Sequence, residues 1–181
     1  LDDKSVDVLV CAAPNHWHSL ITIWACQAGK DVYVEKPLSH NVWEGRRAVE
    51  AAPKYGRMVQ HGTQQRSSSG RANEIAAVQS GKYGKLRVSK GYCCKPRWSI
   101  GTKPTEPAPN DLAFDLWLGP APSQPYHANL VHYNWHWFWD FGNGDIGNQG
   151  VHEIDVARWA TPGATLPTKV WSLGGRFAYE D

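Results

Sequence analysis

Lys36 stands in the run Val32-Tyr33-Val34-Glu35-Lys36-Pro37, where an apolar, β-branched stretch ends in an acid, an amine and a proline. A continuous apolar run reads as a strand of a parallel sheet, and ligands of an open α/β sheet bind beyond the carboxyl ends of its strands. A lysine placed there can be desolvated beside a reacting hydroxyl or carbonyl and pass it a proton. The plainer role for such a lysine is a solvated amine whose stem lies along the strand end.

The histidines and cysteines are the other residue types with chemistry of their own. His16-x-His18 has chelating spacing, and His132, His136, His152 and Glu153 would widen the ligand set of a metal-dependent hydrolase or isomerase. The H-E-x-x-H pattern is broken, however, because Val156 stands where the second histidine must be. The expectation is that no metal is bound. Cys11 falls in an expected buried strand, Cys93 and Cys94 are adjacent and would point to opposite faces, and Cys26 lacks a C-x-x-C partner. Buried free thiols are therefore expected rather than disulfides, which favours a reducing compartment.

The elements that must position these groups follow from periodicity. Val6 to Ala13 reads as a buried strand, Pro14-Asn15 as a turn, and His16 to about Ala28 as a helix stopped by Gly29. Asp31 to Val34 is a second strand, Asn41 caps a helix from Val42 to about Ala52 that is interrupted before Pro53, and Met58-Val59-Gln60 starts a third strand. Strands alternating with helices imply parallel βαβ crossovers, as in a doubly wound sheet. Further on, Arg71 to Gln79 is helical, and a turn at Gly81 to Gly84 leads into a strand from Leu86 to Tyr92. Residues 96–125 form a Pro- and Gly-dense loop with a short ordered piece at Phe114 to Leu118. The alternation of Trp135, Trp137 and Trp139 is that of a half-buried strand, Val151 to Ala160 is a helix, and Val170 to Tyr179 is a closing strand.

With 181 residues, 41% hydrophobic and 20% charged, the chain has the composition of a folded domain or parts of two. The net charge of +2 is dispersed, so neither a nucleic-acid nor a membrane partner is expected. No apolar run approaches the roughly 20 residues of a membrane span. A cytoplasmic location is expected. Ten tryptophans are a heavy load that suits a core, an interface or an aromatic wall for a sugar ring.

A dinucleotide-binding sheet normally opens with strand, G-x-G-x-x-G and helix, and no such unit precedes Val6. The segments V-D-V-L-V-C-A-A-P-N-H-W-H (Val6 to His18), V-Y-V-E-K-P (Val32 to Pro37) and G-N-G-D-I-G-N-Q-G-V-H-E-I-D (Gly142 to Asp155) resemble the Gfo/Idh/MocA family of oxidoreductases, in the same order along the chain. The resemblance implies an α/β fold: part of a Rossmann-like doubly wound parallel sheet over residues 1–66, then over 67–181 the start of an α+β domain with a mostly antiparallel sheet that supports substrate binding and homo-oligomerisation. By that resemblance the chain is truncated at both ends.

Carried over by position, the resemblance makes Lys36 catalytic and places it near the nicotinamide of NAD or NADP and the substrate hydroxyl. It puts Pro14, Asn15, His18 and Glu35 on the cofactor, with Gln64 as a further cofactor candidate. His152 matches the family's catalytic histidine. Four residues earlier, where many members carry an aspartate, this chain has Asn148. On a helix, positions i and i+4 share a face, yet an amide cannot take a proton as a carboxylate can. Acid–base work would rest on Lys36 or His152, with Asp145 contributing if its backbone turns it inward. Arg97, Trp98, Tyr133 and Trp135, with Asn148 and His152, are the candidates for substrate contact. The activity implied is hydride transfer between a secondary alcohol of a sugar or polyol and a nicotinamide. Two alternatives keep most of these residues: an NAD-dependent glycosidase that oxidises and re-reduces its sugar, and a noncatalytic module lacking the phosphate-binding loop.

Overall fold

The computed structural model describes residues 1–175 and 177–179, which divide into two compact units. The first comprises Leu1–Thr63 and Lys103–Asn148. Its sheet has three parallel strands in the order β1 (Val8–Cys11), β2 (Asp31–Val34), β3 (Val59–His61). Register pairs Val8 with Asp31 and Cys11 with Val34, then Val32 with Val59 and Val34 with His61, so all three strands deliver their carboxyl ends to one edge. The crossovers are α1 (Asn15–Gln27) and α2 (Val42–Lys54), which pack on each other. The alternating pattern thus builds the parallel βαβ crossovers read from the sequence.

The core between sheet and helices gathers Cys11, Ala25, Cys26, Val32, Val34 and Ala51. Only one face of β1 takes part: Cys11 is 3% exposed but Val10 is 71% exposed, so the expected fully buried strand is buried on a single side. Side chains alternate across a strand, and both helices cover the Cys11 side. The α1 helix ends where Gly29 adopts φ +79°, and α2 starts where the Asn41 side chain accepts the Glu44 N–H at 2.9 Å. α2 runs two residues past the expected stop, through Pro53. A proline in the last turn forfeits one N–H, while the Tyr55 N–H still closes on the Ala51 carbonyl at 3.0 Å.

A second apolar cluster in this unit, Leu118, Leu130 and Phe141, is flanked by Trp117, Trp135 and Phe138 and includes the short helix α4 (Phe114–Leu118). Here the tryptophan alternation does not make a strand; Asn134–Trp137 is a 3-10 turn. The Trp135 indole N–H donates to the His132 carbonyl at 3.1 Å, and His136 Nδ1 lies 2.6 Å from the Tyr133 carbonyl. Such local bonds from side chain to backbone compete with a ladder.

The second unit comprises Gln64–Thr102 and the residues from Gln149 onward. α3 (Ser69–Gln79) and α5 (Val151–Ala160) pack together, with a 3-10 turn at Gln64–Ser67. Arg66 donates to both Asp155 carboxylate oxygens, at 2.9 and 2.8 Å, and lies over the Trp159 ring at 4.8 Å. The expected strand at Leu86 to Tyr92 is absent. Ser89 instead donates to the Ala157 carbonyl at 2.8 Å, and Gly91 sits so close to α5 that a Cβ there would lie 2.7 Å from the Glu153 carbonyl carbon. That stretch follows a helix rather than a neighbouring strand. No strand forms at 170–175 or 177–179 either, and Arg176 lies outside the described residues. Among the described residues the one sheet is the parallel sheet, and no antiparallel sheet accompanies it.

Candidate functional site

At the carboxyl ends of β1 and β2 the first unit has a cavity of about 220 Å³. Parallel pairing sets its base: the Glu35 N–H donates to the Cys11 carbonyl at 2.9 Å, which carries the chain straight from β2 into Lys36. The Lys36 main-chain N–H donates to the Glu35 carboxylate at 3.2 Å. Its ammonium donates twice to one residue, to the Asn148 carbonyl at 2.7 Å and to the Asn148 side-chain oxygen at 2.9 Å. Tyr133 and Trp135 wall the cavity, and Ala12 and Ala13 leave its β1 side open.

Of the residues singled out in the sequence, Asn15, Glu35, Lys36, Tyr133, Trp135 and Asn148 border this one cavity. His18 also borders the cavity, but it is 1% exposed and both ring nitrogens face main-chain oxygens, Nδ1 to Pro37 and Nε2 to Ala13, each at 2.6 Å. Its polar atoms are engaged by the protein, so as a hydrogen-bonding contact for a cofactor it is displaced by its own neighbours. Pro14 precedes the first residue of α1 and is not part of the cavity wall. Gln64, Arg97, Trp98 and His152 belong to the second unit. There Gln64 is on the surface of a 3-10 turn, Trp98 is 83% exposed, the Arg97 carbonyl accepts from the Tyr179 hydroxyl at 2.6 Å, and His152 is 9% exposed in the first turn of α5.

Two residues of the site were not read from the sequence as part of it. Asn143 accepts the Asn15 amide N–H at 3.1 Å and donates to the His40 carbonyl at 2.7 Å, which fixes how the Asn15 amide is turned. Its signal is an asparagine between Gly142 and Gly144, where Gly142 lies so near the His136 backbone that a Cβ would meet it at 2.3 Å. His136, named above only as a metal ligand, is 5% exposed and lines the cavity. Among the described residues no three His, Cys, Asp or Glu side chains are grouped to hold a metal ion.

A larger hollow of about 480 Å³ lies between α1 and α2, bordered by His16, Leu20, Trp43, Arg47, Glu50 and Tyr55. Its Arg47 and Glu50 pair with each other at 2.8 Å, and its lining includes no strand end, whereas the smaller cavity lies at the carboxyl ends of β1 and β2. Burial pushes the His16 imidazole below its usual range and the Cys11 and Cys26 thiols above theirs, which keeps all three neutral and unreactive in the core. No helix among the described residues is long and apolar enough to cross a membrane.

Residues 1–63 match the oxidoreductase family's NAD-binding Rossmann fold, and residues 77–170 match its C-terminal alpha/beta domain. An inositol 2-dehydrogenase of Salmonella agona is 35% identical over 92 residues, covering 50% of this chain and 27% of that protein. The levoglucosan dehydrogenase of Pseudarthrobacter phenanthrenivorans is 24% identical over 159 residues, 88% of this chain and 34% of that one. A solved levoglucosan dehydrogenase, in complex with NADH and levoglucosan, superposes with a TM-score of 0.61 at 24% identity over 88% of this chain and 36% of its own, a likeness of fold. The chain spans about a quarter of the length of the inositol dehydrogenases it matches. A strand that ends in Glu-Lys-Pro on a parallel sheet, with both of the family's domains matched in order, places the chain in the Gfo/Idh/MocA family of oxidoreductases.

Proposed function

We propose that the protein carrying this chain is an NAD(P)-dependent oxidoreductase acting on a secondary alcohol of a sugar or polyol. Residues 1–66 would supply the second half of its dinucleotide-binding domain and residues 67–181 the beginning of its substrate domain. The observation that carries the reading is the Lys36 amine, held at a strand's carboxyl end in a ring-sized cavity and donating to Asn148 at 2.7 and 2.9 Å.

The residues present fit a nicotinamide. Ala12 and Ala13 leave room beside β1, Asn15 offers an amide whose orientation Asn143 sets, and Gly62 allows the Glu35 carboxylate to sit where a Cβ would press within 3.1 Å of it. When bound, such a cofactor accepts or returns a hydride at its C4. Lys36, as a free amine, would take the hydroxyl proton during oxidation and, as an ammonium, return it during reduction. Asn148 would keep the amine pointed into the cavity, and the Tyr133 and Trp135 rings would lie against the C–H face of the sugar. His152, in the first turn of α5 in the second unit, is a further acid–base candidate.

The relatives support the substrate class, since inositol dehydrogenases and a levoglucosan dehydrogenase are among them. The test is a panel of inositols, aldoses and anhydrosugars offered with NAD or NADP to the intact protein, followed by the absorbance of the reduced cofactor. Turnover of at least one polyol is expected. Release of sugar from glycosides with no net reduction would replace this reading with the glycosidase, and silence across the panel with no cofactor binding would end it.

A further inference from the structure

His18 is a buried histidine with more structural consequence than its place in a turn-helix motif announces. It is 1% exposed, on the first turn of α1, and its two nitrogens lie 2.6 Å from the Ala13 and Pro37 carbonyl oxygens. Either tautomer of the neutral ring donates to one of these, and the imidazolium donates to both. Ala13 closes the segment after β1, and Pro37 is the residue after Lys36. Beside it, Ser19, 2% exposed, donates to the Leu38 carbonyl at 3.3 Å, and the His18 carbonyl is itself taken by the Thr22 hydroxyl at 2.7 Å.

We infer that His18 is a positioning residue for Lys36: its ring bolts the two strand-end segments together, so that the chain leaving Lys36 is fixed on its far side as β2 fixes it on the near side. The ladder bond from Glu35 to Cys11 holds the residue before Lys36, and His18 with Ser19 holds the two residues after it. With both flanks pinned, the amine keeps its aim at Asn148. A shift on the order of 1 Å in a reacting group reduces turnover about 100-fold, so the clamp bears on rate rather than on affinity. The inference rests on the dehydrogenase reading for its kinetic consequence, but the clamp itself can be read without turnover.

The experiment uses the intact protein with His18→Leu, which removes both ring nitrogens, and His18→Gln, which keeps an amide N–H donor. In the cofactor-free protein, acylation of individual lysines is timed by peptide mass spectrometry, with Lys54 on α2 as the internal reference. His18→Leu is expected to speed labelling of Lys36 several-fold with Lys54 unchanged, and His18→Gln to restore part of the protection. On a responsive polyol, kcat is expected to fall about 10- to 100-fold in His18→Leu, with KM and the cofactor Kd within about threefold. Lys36 labelling at the wild-type rate overturns the clamp. A cofactor Kd weakened as much as kcat overturns it in favour of a direct cofactor contact. If His18→Leu does not fold, Ser19→Ala goes through the same two assays, and an unchanged Lys36 rate there counts against the proposal. If no alcohol is turned over, the dehydrogenase reading fails and the labelling arm alone decides the clamp.

Discussion

Replacing Asn148 by alanine separates what orients the Lys36 amine from what the amine does. The substitution removes the side-chain oxygen at 2.9 Å and leaves the main-chain carbonyl at 2.7 Å, so one of the two acceptors that Asn148 supplies is lost and the other stays in place. A hydrogen bond from a charged donor contributes about 1.5–3 kcal/mol, and with the second acceptor retained at a half-buried lysine the lower end applies, about 1.5–2 kcal/mol. If that energy serves alignment in the transition state, kcat/KM falls about 10- to 30-fold. Removing the proton-transfer group itself, in Lys36→Ala, is expected to reduce kcat about 100- to 10,000-fold. The assay is steady-state reduction of the nicotinamide by a responsive polyol, with the thermal midpoint of each variant measured alongside to confirm folding. An unchanged kcat/KM in Asn148→Ala would show that the side-chain bond does not prepare the amine for reaction. A loss as deep as that of Lys36→Ala would show that Asn148 takes part in the chemistry rather than in the aim.

Two further predictions concern the fold that carries the site. Lys30 is 4% exposed and donates to the Asp3 and Val6 carbonyls at 2.6 and 2.7 Å, tying the segment before β1 to the α1–β2 turn. Lys30→Met keeps the stem and drops both bonds, and should lower stability by about 2 kcal/mol in denaturant melts; no loss would mean that the ammonium's desolvation cancels its bonds. For His16, burial holds the folded pKa below the unfolded value of about 6.5, so the unfolded chain binds the extra proton first and stability is complete above that pH and falls as pH drops beneath it. Melts from neutral to mildly acid pH should show this decline in the wild type and a smaller one in His16→Gln; equal slopes would assign the acid sensitivity elsewhere.

Legibility in the sequence followed the distance over which the deciding contacts act. The β1-α1-β2-α2-β3 order was readable because each element carries its own period and its own stop: Gly29 at φ +79° after α1, and the Asn41 cap before α2. The site end of β2 was readable for the same reason, since a strand that stops at Glu35-Lys36-Pro37 announces where its side chains emerge. What failed were segments whose fate depends on a partner far along the chain. Leu86 to Tyr92 has strand composition, but Ser89 bonds to Ala157 and Gly91 nestles against Glu153, so a helix 60 or more positions away decides its conformation. The tryptophans from 135 onward alternate as a strand would, yet the His136 and Trp135 ring nitrogens reach back three residues to main-chain oxygens and wind the segment into a turn. His18 belongs to the same class: a histidine in a turn-helix motif reads as a group offered to a ligand, and only the carbonyls of Ala13 and Pro37, converging from two different strand ends, turn it inward as a bolt. The residues proposed for the chemistry thus stand where local pattern ends a strand, while the contacts that would aim them are set by where distant backbone oxygens come to rest.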